Sequence, residues 1–209
     1  ILSHMNKQKG IAGFLLANGA LGDTDALNIR RKLIENDKVE AIIVLPRELF
    51  ITTDISVTLW ILNQNKKGGM WHGRKQRNRE GEILFMDLRQ WTENPVKGEQ
   101  KKKVILKDNQ IKRATEIYFK WQAEGTDGAN YAEPELYRSV RIDEADGIEA
   151  NNFSLVPSRY IEFVDRDSAI DYHKVLTETA STVSDLLERQ KTNDDMLRKA
   201  LNRLGYECK

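Results

Sequence analysis

The chain has 209 residues, 40% of them hydrophobic and 31% charged, and its 33 Lys and Arg nearly balance its 32 Asp and Glu. That composition supports one ordinary core with an appendage, and the charge balance by itself selects no class of partner. A single cysteine (Cys208), histidines as far apart as His4, His72 and His173, and the lack of any apolar run near the roughly 18 residues of a membrane span exclude a disulfide framework, a metal site and a spanning helix, and make the cytoplasm the expected compartment.

The opening ILSHMNKQKG reads as the end of an amphipathic helix with Ile1, Leu2 and Met5 on one face, although SHM is also readable as a cloning scar. GIAGFLLANGAL follows as a short buried strand that turns at Asn18-Gly19. GDTDALNIRRKLIENDK has the pattern of a helix, capped by Asp23 or Thr24, with Leu27, Ile29, Leu33 and Ile34 on its apolar face. VEAIIVLP is a second apolar strand, stopped at Pro46. Strand, helix and strand in this order predict a right-handed crossover and a parallel sheet. SVTLWILNQ and GEILFMDLR are two more strands. The glycine-containing stretch between them is too short for a crossover helix, so an antiparallel pair at the sheet edge is expected.

Composition changes near residue 90. WTENPVKGEQKKK reads as a linker, and DNQIKRATEIYFKWQAEG as a helix with Ile111, Ala114, Ile117, Tyr118 and Trp121 along one face. Short elements continue to about residue 165. From about 168 to 204 a long polar helix carries Leu176, Ala180, Val183, Leu187, Leu197, Leu201 and Leu204 on a three-four repeat, interrupted at Gln190 and Asp194, with KTNDD as a possible break into two helices. The expected divisions are 1–90, 91–167 and 168–209.

Three features carry chemistry. Phe50 stands in a loop where a strand ends, and ligands of open α/β sheets sit outside the carboxyl ends of strands. An aromatic there suits stacking on a planar group such as an extruded base, or it folds back to plug the core above Leu45 and Leu59. Lys66, Lys67, Arg74, Lys75, Arg77 and Arg79 follow one another with no acid between them, a pattern that fits a grip on nucleic-acid phosphates or a solvated loop. Lys101, Lys102 and Lys103 form a weaker cluster that reads as a solvated linker, and Asp165, Asp167 and Asp171 read as caps of the last helix. That helix has a narrow apolar seam, which packs either on its own domain or on a partner helix.

The order and spacing of GIAGFLLANGAL, IRRKLIENDKVEAIIVLPRELFITTDISVTLWILNQNK, GEILFMDLR, LVPSRYI and LRKALNRLGYE resemble the modification (methyltransferase) subunit of type I restriction-modification systems over nearly the whole chain. The resemblance implies an S-adenosylmethionine-dependent DNA adenine-N6 methyltransferase. The expected fold is α/β: the later half of a Rossmann-like methyltransferase sheet in 1–90, a linker and mixed helical region in 91–167, and a C-terminal helix for subunit assembly in 168–209. The family's glycine-containing cofactor motif and its Asn-Pro-Pro-Phe motif are absent and would precede residue 1. ILSHMN matches the segment that follows the latter, so the piece is expected to hold no catalytic residue, to leave S-adenosylmethionine mainly to the missing half, and to be inactive alone.

By the same resemblance, Phe50 packs on the flipped base, with Asn18, Gly19 and Thr53 framing the pocket, while Ile51 stands where the family often has Tyr. Leu187, Leu197, Leu201 and Leu204 would meet a separate specificity subunit, which reads double-stranded DNA and which a restriction subunit can join. Half a sheet leaves an open edge, so self-association is expected. A non-catalytic assembly and DNA-backbone-binding module, and an unrelated α/β nucleotide-binding protein, are the other readings.

Overall fold

The computed structural model describes residues 1–50, 53–71, 73–91, 104–164 and 172–204. His72, Lys101, Lys102, Lys103, Asp165, Asp167, Asp171 and Cys208 lie outside them. Contacts divide the chain into two units, Ile1–Val164 and Asp165–Lys209. In the first, β1 (Ile11–Ala17), α1 (Leu27–Glu35), β2 (Val39–Val44), β3 (Val57–Asn63), β4 (Gly69–Trp71), β5 (Arg74–Gln76), β6 (Glu82–Asp87), α2 (Asp108–Gln122), β7 (Ala132–Glu133) and β8 (Tyr137–Arg141) follow in order. Six strands build one sheet in the order β1-β3-β2-β6-β8-β7, and β4 and β5 form a separate hairpin.

β1 and β2 run in the same direction, because each is antiparallel to β3. They are not neighbours, since β3 lies between them. β3 and β6, expected as an antiparallel edge pair, are also separated: β2 pairs antiparallel with β3 and parallel with β6. The reason is in the residues. β2 is buried along its whole length, and a strand that is apolar on both faces takes an interior position with a neighbour on either side. The edge falls instead to β1, expected to be buried but with Ile11, Leu15 and Leu16 exposed by 43%, 46% and 37%.

Each face of the sheet has its own core. Ile34 of α1, Trp60, Phe85, Leu155 and Tyr160 close one face, and Leu2 and Met5 of the opening segment pack against it. Ile43, Leu84 and Met86 meet Ile117 and Trp121 of α2 on the other. Helix α1 begins after Ala26, not at Asp23 or Thr24, and no side chain caps it. Its inward stripe is Leu27, Arg30 and Ile34, spaced by three and four, which leaves Ile29 outside. The stretch 91–167, expected as a linker and mixed helical region, supplies α2, two sheet strands and the Leu155–Ile161 side of a core in its described part. The second unit is described by α3 (Tyr172–Arg203), a helix of 32 residues that runs without a break through KTNDD.

At the amino-terminal end of β2 the chain buries charge. Arg79 and Glu40 have no exposed side-chain surface and meet at 3.3 Å. Glu40 Oε1 also accepts from the Gln122 side-chain amide at 2.7 Å, and Arg79 donates to the carbonyl of Arg77 at 2.7 Å and to Gln76 Oε1 at 3.2 Å. Lys66, equally enclosed, donates to Asp37, to the carbonyl of Val39 at 3.0 Å and to that of Glu82 at 2.6 Å. Burial pulls the Lys66 ammonium below its ordinary pKa, and the Asp37 carboxylate opposes that shift. Removing one member of a buried pair leaves the other charged without a partner. Arg79→Ala should therefore cost about 3–5 kcal/mol of unfolding free energy in urea titrations, whereas the double replacement Arg79→Met with Glu40→Leu should cost much less.

Candidate site at the strand margin

Pairing fixes which loops meet. Ala17 at the end of β1 lies opposite Val57, Val44 at the end of β2 lies opposite Thr58, and Val44 also faces Asp87 of β6. The carboxyl ends of β1, β2 and β6 thus share one margin. It gathers the turn Asn18–Leu21, the loop from Leu45 to Ser56 in its described part, and the exit of β6. β3 runs the other way and ends at Asn63, opposite Ile11. Seven residues at about 3.3 Å each place the segment after it roughly 20 Å away, at the far margin. Sequence order had put the aromatic loop and the basic stretch close together, and the reversed strand separates them.

Three contacts hold the margin. Thr58 Oγ1 donates to Asn18 Oδ1 at 2.6 Å, tying the turn to the middle strand. Arg30 reaches up from α1 to donate to the carbonyls of Ala20 at 3.2 Å, Asp23 at 3.1 Å and Phe153 at 2.7 Å. Ser56 Oγ donates to the Leu45 carbonyl at 2.6 Å and pins the base of the loop. Gly19 faces Asp23, whose Oδ2 would lie 2.6 Å from any Cβ there, so a side chain at this position would have to displace it. Phe50 is half-buried and packs with Leu49 against the core under α2. The Thr53 amide donates to the Phe50 carbonyl at 3.4 Å, and Glu48 holds a left-handed φ of 60°. Beneath this loop a cavity of about 350 Å³ runs between the sheet and α2, lined by Leu45, Leu59, Ile61, Leu88, Ala114 and Tyr118. It is apolar.

The six cations of the basic stretch divide. Lys66 and Arg79 are spent in the buried charge cluster, and Arg77 forks onto Glu82 at 2.7 and 3.0 Å. Lys67, Arg74 and Lys75 are exposed: Lys75 pairs with Glu124 at 2.6 Å, and the Arg74 guanidinium lies 3.7 Å from the Phe119 ring centre. On α3, Leu187 and Leu197 are 59% and 58% exposed and Leu201 is half-buried, and Leu204, just past the end of the helix, is 72% exposed. Arg30 was not singled out by sequence reasoning. Its signal was position, since it stands on the Leu27–Ile34 stripe where an apolar residue belongs.

The profile of the N-6 DNA methylase family matches residues 1–168. The type I restriction enzyme MjaIX methylase subunit of Methanocaldococcus jannaschii is 28% identical over 199 residues, which are 94% of this chain and 32% of that protein. The HindI methylase subunit of Haemophilus influenzae is 28% identical over 213 residues, 99% of this chain and 42% of that protein. The chain therefore spans about a third to two fifths of the length of these relatives. Among solved structures, the type I restriction-modification methyltransferase subunit of Streptococcus thermophilus superposes with a TM-score of 0.57 at 20% identity, over 78% of this chain and 29% of that one, a likeness of fold.

One hydroxyl ties the Asn18 side chain to the middle strand. Thr58→Val keeps the strand's shape and removes the donor, so it should cost about 1 kcal/mol and speed amide exchange at Asn18–Leu21, measured by hydrogen–deuterium exchange.

Proposed function

Because the chain belongs to the N-6 DNA methylase family, matched over residues 1–168, we propose that it is the later part of a type I modification subunit. In this reading the intact subunit transfers a methyl group from S-adenosylmethionine to adenine N6 in double-stranded DNA, assembled with a specificity subunit and, where present, a restriction subunit. The observation that carries it is the margin itself: an aromatic loop and a tethered Asn-Gly turn stand side by side at the carboxyl ends of strands that run in one direction.

Phe50 is assigned to the face of the extruded base, with Asn18, Gly19 and Thr53 as frame. A base held against an aromatic ring needs unstacking from the duplex, which stacking on that ring offsets. The donor set for S-adenosylmethionine is assigned to a preceding segment. At this margin Asn18 Oδ1 is already taken by Thr58, and the described turn offers no glycine-rich cradle for the cofactor. No step of the chemistry is therefore routed through these residues; they receive and orient the substrate. The Rossmann-like sheet would continue past β1, whose outer edge pairs with no strand among the described residues. The DNA-backbone role assigned to the basic stretch narrows to Lys67, Arg74 and Lys75, the members with exposed side chains. Leu187, Leu197 and Leu201 on α3, with Leu204 just after it, remain the proposed contact with the specificity subunit.

Two measurements test this. In the full-length enzyme, Phe50→Ala should lower methyl transfer by about 10-fold or more while cofactor affinity, read by equilibrium dialysis, changes little; unchanged turnover would return Phe50 to a packing role. Leu197→Glu with Leu204→Glu should abolish co-purification with the specificity subunit. Retained assembly would remove the helix from that role.

A further inference from the structure

The stretch LVPSRYI forms a strap along the margin, fastened at both ends. Just before it, Asn152 and Phe153 hold left-handed φ of 59° and 54°, which residues other than glycine adopt only when their surroundings hold them there. Arg30 takes the Phe153 carbonyl at 2.7 Å, and the Arg31 guanidinium lies 4.9 Å from the Phe153 ring centre. The chain then bonds to both sides of the sheet. The Leu155 amide donates to the Leu21 carbonyl at 2.9 Å, past the end of β1, and the Glu135 amide donates to the Glu162 carbonyl at 2.8 Å, ahead of β8. Because β8 is antiparallel to β6, its start lies at the same margin as the carboxyl ends of β1, β2 and β6. Between these points Tyr160 stacks on Phe85 with ring centres 4.6 Å apart, and its hydroxyl donates to the Ser154 carbonyl.

Leu155, Pro157, Tyr160 and Ile161 of the strap are buried, and Ser158 and Arg159 are its exposed pair. They stand on the 3-10 turn Pro157–Arg159, set by Pro157 at its start and closed by the Tyr160 and Ile161 amides on the Pro157 carbonyl, each at 2.9 Å. The Arg159 amide donates to the Val156 carbonyl at 3.1 Å, and one such turn rises about 6 Å. Val156 in turn is what a Cβ at Gly22 would meet at 3.2 Å, so Arg159 stands one short turn from the Asn18–Leu21 segment. Other arginines near this margin are engaged: Arg30 on three carbonyls, Arg89 forked onto Asp87, Arg138 on Asp146 and the Tyr160 carbonyl. Among the described residues no ion pair or hydrogen bond engages the Arg159 side chain.

We propose that Arg159, with the Ser158 hydroxyl, binds a DNA phosphate beside the extruded base. The inference rests on the modification reading and supplies what the basic stretch cannot. Lys67, Arg74 and Lys75 stand at the far margin, roughly 20 Å away, whereas a base received between Phe50 and the Asn18 turn brings its own flanking phosphates to this margin. A guanidinium meets two phosphate oxygens in one plane, and a mount already fixed at both ends loses little freedom in doing so.

The test uses the full-length modification subunit assembled with its specificity subunit, and a duplex carrying a methylation site mapped on unmodified plasmid DNA. The logarithm of DNA affinity falls with the logarithm of salt in proportion to the phosphates neutralised. Arg159→Ala should lower that slope by about one and raise the Kd and the KM for DNA by about 10-fold, with kcat at saturating DNA and the affinity for S-adenosylmethionine little changed. Arg159→Lys keeps the charge and should keep the slope. Lys112→Ala, an equal loss of charge on the exposed side of α2, should move neither slope nor affinity. A slope and KM moved no further by Arg159→Ala than by Lys112→Ala overturn the inference and leave the modification reading standing. A wild-type assembly that transfers no methyl group to DNA removes both.

Discussion

Glu40 meets Arg79 where water is excluded, and much of the first unit is arranged around that meeting. Taking both ions out of water costs several kcal/mol each, and their attraction repays it only when the remaining donors and acceptors are also met. Gln122 at the end of α2 supplies one partner, and Gln76 and the Arg77 carbonyl in the hairpin region supply others, while Glu40 Oε2 stays buried without a hydrogen-bond partner among the described residues. The ring of Trp121 lies within 5.6 Å of the guanidiniums of both Arg77 and Arg79. Strand, hairpin and helix thus converge on one salt bridge. A shifted α2 or a slipped hairpin would leave a buried charge without these partners, at a cost of several kcal/mol.

That arrangement has a directional consequence. The hairpin is bolted to the amino-terminal end of β2 and β6, whereas the Asn18 turn and the Phe50 loop stand at the carboxyl ends. Three of the six basic residues became struts because the hairpin needed anchoring, and counting cations in the sequence overstated what the surface presents.

The elements themselves were legible. Apolar runs marked β1, β2, β3 and β6, and the spacing of Ile117 and Trp121 marked α2, because burial leaves a periodic trace in the sequence. Their neighbours were not legible. Nothing in SVTLWILN says that it threads between the first two strands, since strand order depends on contacts far apart in the chain. The burial of Lys66 and Arg79 had no local signal either, because their partners Asp37 and Glu40 stand some thirty to forty residues earlier. Arg30 was different. A charged residue on an apolar stripe is a local anomaly, and it marked the side chain that holds the turn at the candidate site.

The two ends of the sheet complete the argument about what β1 is for. At one end β7 has two residues, and its Glu133 is engaged by Arg113 at 2.5 Å. A short, charged margin of that kind resists further pairing. At the other end β1 has seven residues and no charge at all, in a chain where 31% of residues are charged. Its outward amides alternate with inward ones in an unbroken register, with no bulge to twist the strand away. Solvent-facing edges carry protection, and this one carries none, while the opposite edge of the same sheet does. The asymmetry fits the proposed continuation of the sheet past β1, since an uncharged seven-residue strand is suited to an interior position.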